Sequence, residues 1–189
     1  NRVKSISIWI FVIPFLAVNT CLIMITQFHD LYASREEIIH WTFPYIDGGA
    51  SISRTARPYP SSLVFKPSMF LTSFLLIKYW LFNKEIIHFF SKDHKNINKI
   101  VFFGIASAIA LTVHSIFLGI KFDNDLYKLF RRVIMLSFII FELVAQAYLV
   151  ATLYSFKNKL LKNINTKILQ VKLYLVSLLI IVAVISIPI

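Results

Sequence analysis

Acidic side chains are scarce in this sequence: nine Asp and Glu stand against twenty Lys and Arg among 189 residues. Charged residues of both signs make up only 15% of the chain while 58% is hydrophobic, a balance that does not suit an ordinary soluble domain. Cysteine is scarcer still. Cys21 stands alone, so no intrachain disulfide and no thiolate metal site can form. The chain also lacks a zincin helix, a nucleophile elbow, a Walker loop and a dinucleotide fingerprint, so the common enzyme templates give no support.

What is present in abundance is long apolar runs. A bilayer core of roughly 30 Å takes about 20 apolar residues per helix. Five stretches reach that length, at residues 5–28, 63–83, 100–120, 133–156 and 171–189. They are apolar on all faces instead of along one stripe, which excludes a soluble amphipathic bundle. Backbone polar groups in lipid must be satisfied within each segment, so these runs are expected to be helices. The fold class is therefore all-α, a polytopic transmembrane bundle forming a single domain over 1–189, with about five spans visible. The first run lacks the short core and small-residue cleavage pattern of a removable signal peptide and is read as retained. The chain has no initiating Met and ends, at Ser186-Ile187-Pro188-Ile189, still inside an apolar run. The polypeptide is expected to extend further, with room for a sixth span.

A formal net charge of +11 raises the question of nucleic acid, but the basic residues flank hydrophobic segments and form no soluble domain of their own. No nucleic-acid partner is expected. Arg2 and Lys4 precede the first run; Lys84, Lys92, Lys95 and Lys99 lie between the second and third; Lys157, Lys159, Lys162 and Lys167 follow the fourth. By the positive-inside rule these regions are cytoplasmic. The other two connections mix signs and are expected to face outward, giving an integral membrane protein with its amino terminus inside. Which membrane holds it is not legible.

The outer loop, 29–62, is long enough to suggest function. Its first half is rich in apolar residues, and Asp30 to His40 suits a short helix in the membrane interface, with Trp41 and Tyr45 at headgroup level. Its second half concentrates Asp47, Ser51, Ser53, Arg54 and Arg57 around Gly48-Gly49. Arginine forks, hydroxyls and glycine backbone together suit a phosphate, and a lipid headgroup is the natural candidate. The plainer alternative, a self-satisfied loop in which Asp47 pairs with Arg54 or Arg57, is equally open.

Within the spans the polar residues are few. Glu142 and Gln146 share one face of the fourth helix, and a carboxylate at that depth demands a polar partner or a watery cavity. His114, Asn19 and Thr20 are candidate partners. Either a proton or polar-ligand site or a packing network of hydrogen bonds would explain them, and packing is the plainer account. Small residues four apart, Gly104 with Ala108, Ala106 with Ala110 and Ala147 with Ala151, let neighbouring helices approach closely. Asp123-Asn124-Asp125 lacks the rest of a calcium loop, and His88 and His94 lack ligand spacing, so no metal and no cofactor is expected beyond a bound phospholipid.

Phe43-Pro44-Tyr45-Ile46-Asp47, then Ser51-Ile52-Ser53, Pro58, Pro60 and Phe65 at the entry to the second run, resemble the first outer loop of the Frag1/DRAM/Sfk1 family of multispanning membrane proteins. Gly48-Gly49-Ala50 departs from that pattern, and the family usually has six spans. The resemblance implies lipid-linked membrane biology, GPI-lipid maturation included, with no common catalytic residue. The expectation is a non-enzymatic membrane protein that binds lipid or a partner membrane protein, as an accessory or structural subunit. Two alternatives stay open: a lipid-modifying enzyme resembling GPI-lipid remodelling factors, with Asp47 or Glu142 in acid-base work, and a small transporter with a polar path through Glu142 and His114.

Overall fold

The computed structural model describes residues 2–32, 51–90, 95–120, 124–156 and 166–186. Among them the chain is helical and contains no strand. Among the described residues six α-helices follow one another: α1 (Arg2–Gln27), a short α2 (Ile52–Thr55), α3 (Ser61–Phe90), α4 (Ile97–Phe117), α5 (Asp125–Ser155) and α6 (Thr166–Ser186), with a 3-10 turn at His29–Leu31. Each of the five apolar runs is thus helical over most of its described residues. Three helices, α1, α4 and α5, are long and apolar enough to cross a membrane. In α3 the apolar run is interrupted by Lys66 and Lys78 and followed by Lys84 and Glu85, and α6 carries a described apolar stretch at Gln170–Ala183.

Helices are the form these segments take because each backbone bond is then made locally, and polar side chains inside them follow the same rule. Asn19 donates to the Phe15 carbonyl at 2.7 Å, Thr26 to Leu22 at 2.8 Å, Ser68 to Val64 at 2.7 Å and Thr72 to Ser68 at 2.8 Å. Pro14 and Pro67 lie within helices, where each removes one backbone donor. Large apolar side chains such as Trp9, Phe11, Leu136 and Leu178 remain more than half exposed, which in an integral membrane protein is the surface offered to lipid.

Two compact units divide the chain, one of residues 1–75 with 110–135, the other of residues 76–109 with 136–189. In the first, Cys21 and Ile25 of α1 are fully buried, with Tyr32 beside Ile25. The Tyr32 hydroxyl shares a hydrogen bond with the Ser61 hydroxyl, and the Cys21 thiol donates to the Ser61 carbonyl at 3.4 Å, tying α1 to the first turn of α3. α2 packs against α1, and Ser73 bonds Thr112 across α3 and α4 at 2.6 Å.

The core of the second unit is built around Trp80, fully buried with Ile87, Ile100, Ala108, Ala145 and Leu149. Gly104 gives Trp80 its place. A Cβ there would stand 2.3 Å from two carbons of the indole, so α4 carries no side chain where the ring lies. Of the small-residue pairs, Gly104 and Ala108 therefore face the packed side of α4. Phe103 adds a stack on Tyr148 with centroids 6.2 Å apart, and the Lys99 ammonium lies over the Tyr148 ring at 5.6 Å.

Candidate functional site

The outer-loop candidates separate once their surroundings are known. Asp47 lies outside the described residues, as does the segment expected to form an interfacial helix, apart from its first residues. Ser51 adopts extended backbone (φ −81°, ψ 147°) and its hydroxyl accepts from the Arg54 amide at 3.3 Å, which is the geometry of a helix N-cap. Its role is local. Ser53 faces Ser51 at 3.4 Å between hydroxyls, and Arg54 is exposed. Arg57, three residues beyond, is half-buried and turned into the first unit.

There it meets two groups that the sequence placed far away. Arg131, near the start of α5, lies close enough for its charge to act on Arg57, and on His114 near the end of α4. Burial, then the Arg131 charge, lowers the Arg57 pKa from its ordinary value, while the Tyr127 phenol acts the other way. A guanidinium does not lose its proton in a protein, so the lowering records an unfavourable positive charge instead of a change of state. The Nε atoms of Arg57 and Arg131 and Nδ1 of His114 are all buried without a hydrogen-bond partner among the described residues. Buried polar nitrogens normally have partners, so three orphans in one region call for an explanation.

The frame that holds these side chains is itself well bonded. α4 ends at Phe117, followed two residues later by Gly119 at φ +92°, a left-handed glycine closing the helix. A Cβ at Gly119 would lie 3.3 Å from the Arg57 carbonyl oxygen, so the turn and the Arg57 backbone fit closely. The Tyr127 hydroxyl donates to the Phe117 carbonyl at 2.7 Å, fastening the start of α5 to the end of α4. Its ring also faces the Arg131 guanidinium, 6.0 Å from the centroid.

Glu142 belongs to a separate cluster in the second unit. Its Oε2 accepts from the Ser107 hydroxyl at 2.8 Å and from the Trp80 indole at 3.3 Å, and its Oε1 from the Gln146 amide at 2.9 Å. Ser107 also lies 2.8 Å from the Gly104 carbonyl, so its one hydroxyl hydrogen serves two acceptors. The Lys172 ammonium acts electrostatically on Glu142 and donates to the Tyr79 hydroxyl at 3.4 Å, bringing α6 towards the same region. The carboxylate is thus held by packing side chains on three helices. His114 lies in the other cluster, Asn19 bonds its own helix and Thr20 is exposed.

The model of the Frag1/DRAM/Sfk1/Cwh43P N-terminal domain matches residues 2–188, the whole of the membrane-embedded chain. The chain belongs to the Frag1/DRAM/Sfk1 family. No curated protein and no solved structure matches it significantly. The family is one of membrane proteins, in accord with the apolar helices of this member. Sequence reasoning about this Frag1/DRAM/Sfk1 protein overlooked Arg131, Ser107 and Trp80. Arg131 reads as one more charge in a mixed connection, and nothing local tells that it turns towards Arg57. Ser107 did carry a signal, since it lies one turn from Gly104 on the side of α4 where close approach was expected.

Proposed function

We propose that this protein binds the headgroup of an anionic phospholipid at its outer surface, without converting it chemically, and serves as an accessory component of the membrane. The observation that carries the reading is the pairing of Arg57 with Arg131. Two permanent cations from distant parts of the chain are held within each other's field, and neither Nε meets an acceptor among the described residues. Like charges left unpaired at a low-dielectric boundary destabilise the fold, and an anionic ligand turns that repulsion into two charge-assisted attachments. The reading takes both mixed-charge connections to lie on the outer face and the lysine-rich ones on the cytoplasmic face. Another membrane protein that shares the bound lipid would be its partner. Glu142 has a packing role in this reading, because its oxygens are directed to Ser107, Trp80 and Gln146.

The test is lipid analysis of the purified full chain beside Arg57→Gln. The wild type should carry anionic phospholipid in excess over the host membrane, and the variant should lose that excess while remaining folded and monodisperse. Equal anionic lipid in both would sink the proposal.

A further inference from the structure

Resting on the reading that this surface takes a lipid headgroup, we infer that the group recognised by Arg57, Arg131 and His114 is a phosphate monoester, presented by a lipid, and not the phosphodiester common to most phospholipids.

Charge is the first consideration. Two guanidinium groups always carry two positive charges, and no carboxylate among the described residues offsets the Arg57 and Arg131 pair. A phosphodiester brings one negative charge and leaves the pair half compensated. A phosphate monoester carries about −1.5 to −2 at neutral pH and matches it. Among the described residues of the same connection the acid is Asp125, which is exposed and engaged by Lys128 at 2.9 Å.

Donor geometry points the same way. The side-on fork of an arginine uses Nε together with one terminal nitrogen, and Nε is unpartnered in both residues. Two such forks present four N–H groups, enough to occupy the two free oxygens of a diester without help. A third buried nitrogen, His114 Nδ1, has no hydrogen-bond partner among the described residues, and protonated at that position it would donate to a third terminal oxygen. A monoester has three. At the end of α4 two carbonyls already accept from other side chains: that of Phe117 from the Tyr127 hydroxyl at 2.7 Å and that of Ile116 from the Lys66 ammonium at 3.4 Å.

Position supplies the source. His114 lies within the last turn of α4, Arg131 just ahead of the fourth apolar run and Arg57 just ahead of the second, so all three belong at the depth of headgroup phosphates. Membrane spans on either side restrict approach from bulk water and favour a ligand arriving in the plane of the bilayer.

The experiment uses the full chain in phosphatidylcholine nanodiscs doped with phosphatidate (a monoester) or phosphatidylglycerol (a diester) at equal mole fraction, read by native mass spectrometry of the captured lipid. Phosphatidate should be captured with a preference of about tenfold or more, the effect of one additional charge-assisted contact. Arg131→Lys, which keeps the charge but loses the fork, should reduce the preference, and His114→Gln should reduce it without abolishing capture; an unchanged preference in both variants overturns the assignment of these residues. Equal capture of the two lipids by the wild type overturns the monoester inference and leaves lipid binding standing. Failure to capture either anionic lipid overturns both. Soluble glycerol 3-phosphate is the remaining arm: if it displaces phosphatidate at equal concentration, the monoester site stands and its lipid source is overturned, whereas indifference to it supports the lipid.

Discussion

Replacing Gly104 with Ala adds one methyl group at the point where α4 meets the indole of Trp80. The added Cβ would lie 2.3 Å from Cγ and Cδ2 and 2.6 Å from Cδ1 of that ring, inside any tolerated carbon contact. Trp80 is fully buried and its Nε1 donates to Glu142 at 3.3 Å, so the ring has little room to retreat. Overpacking of this kind costs about 1–3 kcal/mol. If the ring moves and its bond to the carboxylate breaks, an interhelical hydrogen bond worth about 0.6 kcal/mol in a membrane protein is lost as well. Intrinsic helix preference opposes the loss, since Ala is favoured over Gly by about 0.8–1 kcal/mol. The net expectation for Gly104→Ala is a destabilisation of roughly 1–2 kcal/mol, measured by reversible unfolding in mixed micelles. A double-mutant cycle isolates the cause. In a Trp80→Leu background the methyl meets a smaller, flexible side chain, so Gly104→Ala should become neutral or stabilising. Equal losses in the two backgrounds would refute the reasoning, because the cost would then not arise from the indole.

Other perturbations report on the remaining features. Glu142→Leu strands the donors of Ser107, Trp80 and Gln146 and should destabilise by about 1–3 kcal/mol, whereas Glu142→Gln keeps an acceptor and should cost less, both read by the same unfolding assay. Gly119→Ala forces a left-handed backbone on a residue with a side chain, at a cost of about 1–2 kcal/mol. Because that side chain also crowds the Arg57 carbonyl, the variant should lose captured anionic lipid along with stability; loss of stability alone would separate the turn from the site. With Cys21 replaced by Ser, a single cysteine at Tyr59 should react with a membrane-impermeant maleimide in right-side-out vesicles, and one at Lys95 should react only after permeabilisation. The opposite pattern would invert the proposed orientation.

The membrane character and the helices were legible in the sequence because both follow from local physics. A run of twenty apolar residues has one way to satisfy its backbone in lipid, whatever its neighbours do. Ser51 as a cap and Gly119 as a helix stop also rest on local geometry, but the sequence reading places Ser51 with the phosphate-holding groups and does not single out Gly119. Glu142 stood out because a carboxylate in an apolar run is costly wherever it falls. Its partners did not, because Trp80 and Ser107 lie on other helices and the choice between them and His114 depends on how those helices rotate. The basic cluster was least visible of all. Arg57, His114 and Arg131 lie on separate elements, each with an ordinary local explanation, a loop arginine, a span histidine and a flanking charge. The sequence by itself determined the membrane character and the all-helical class, since both depend on composition summed along the chain. Only the tertiary structure decided that two arginines and a histidine converge with no acid beside them among the described residues, since side-chain partnership depends on distance in space and not along the chain.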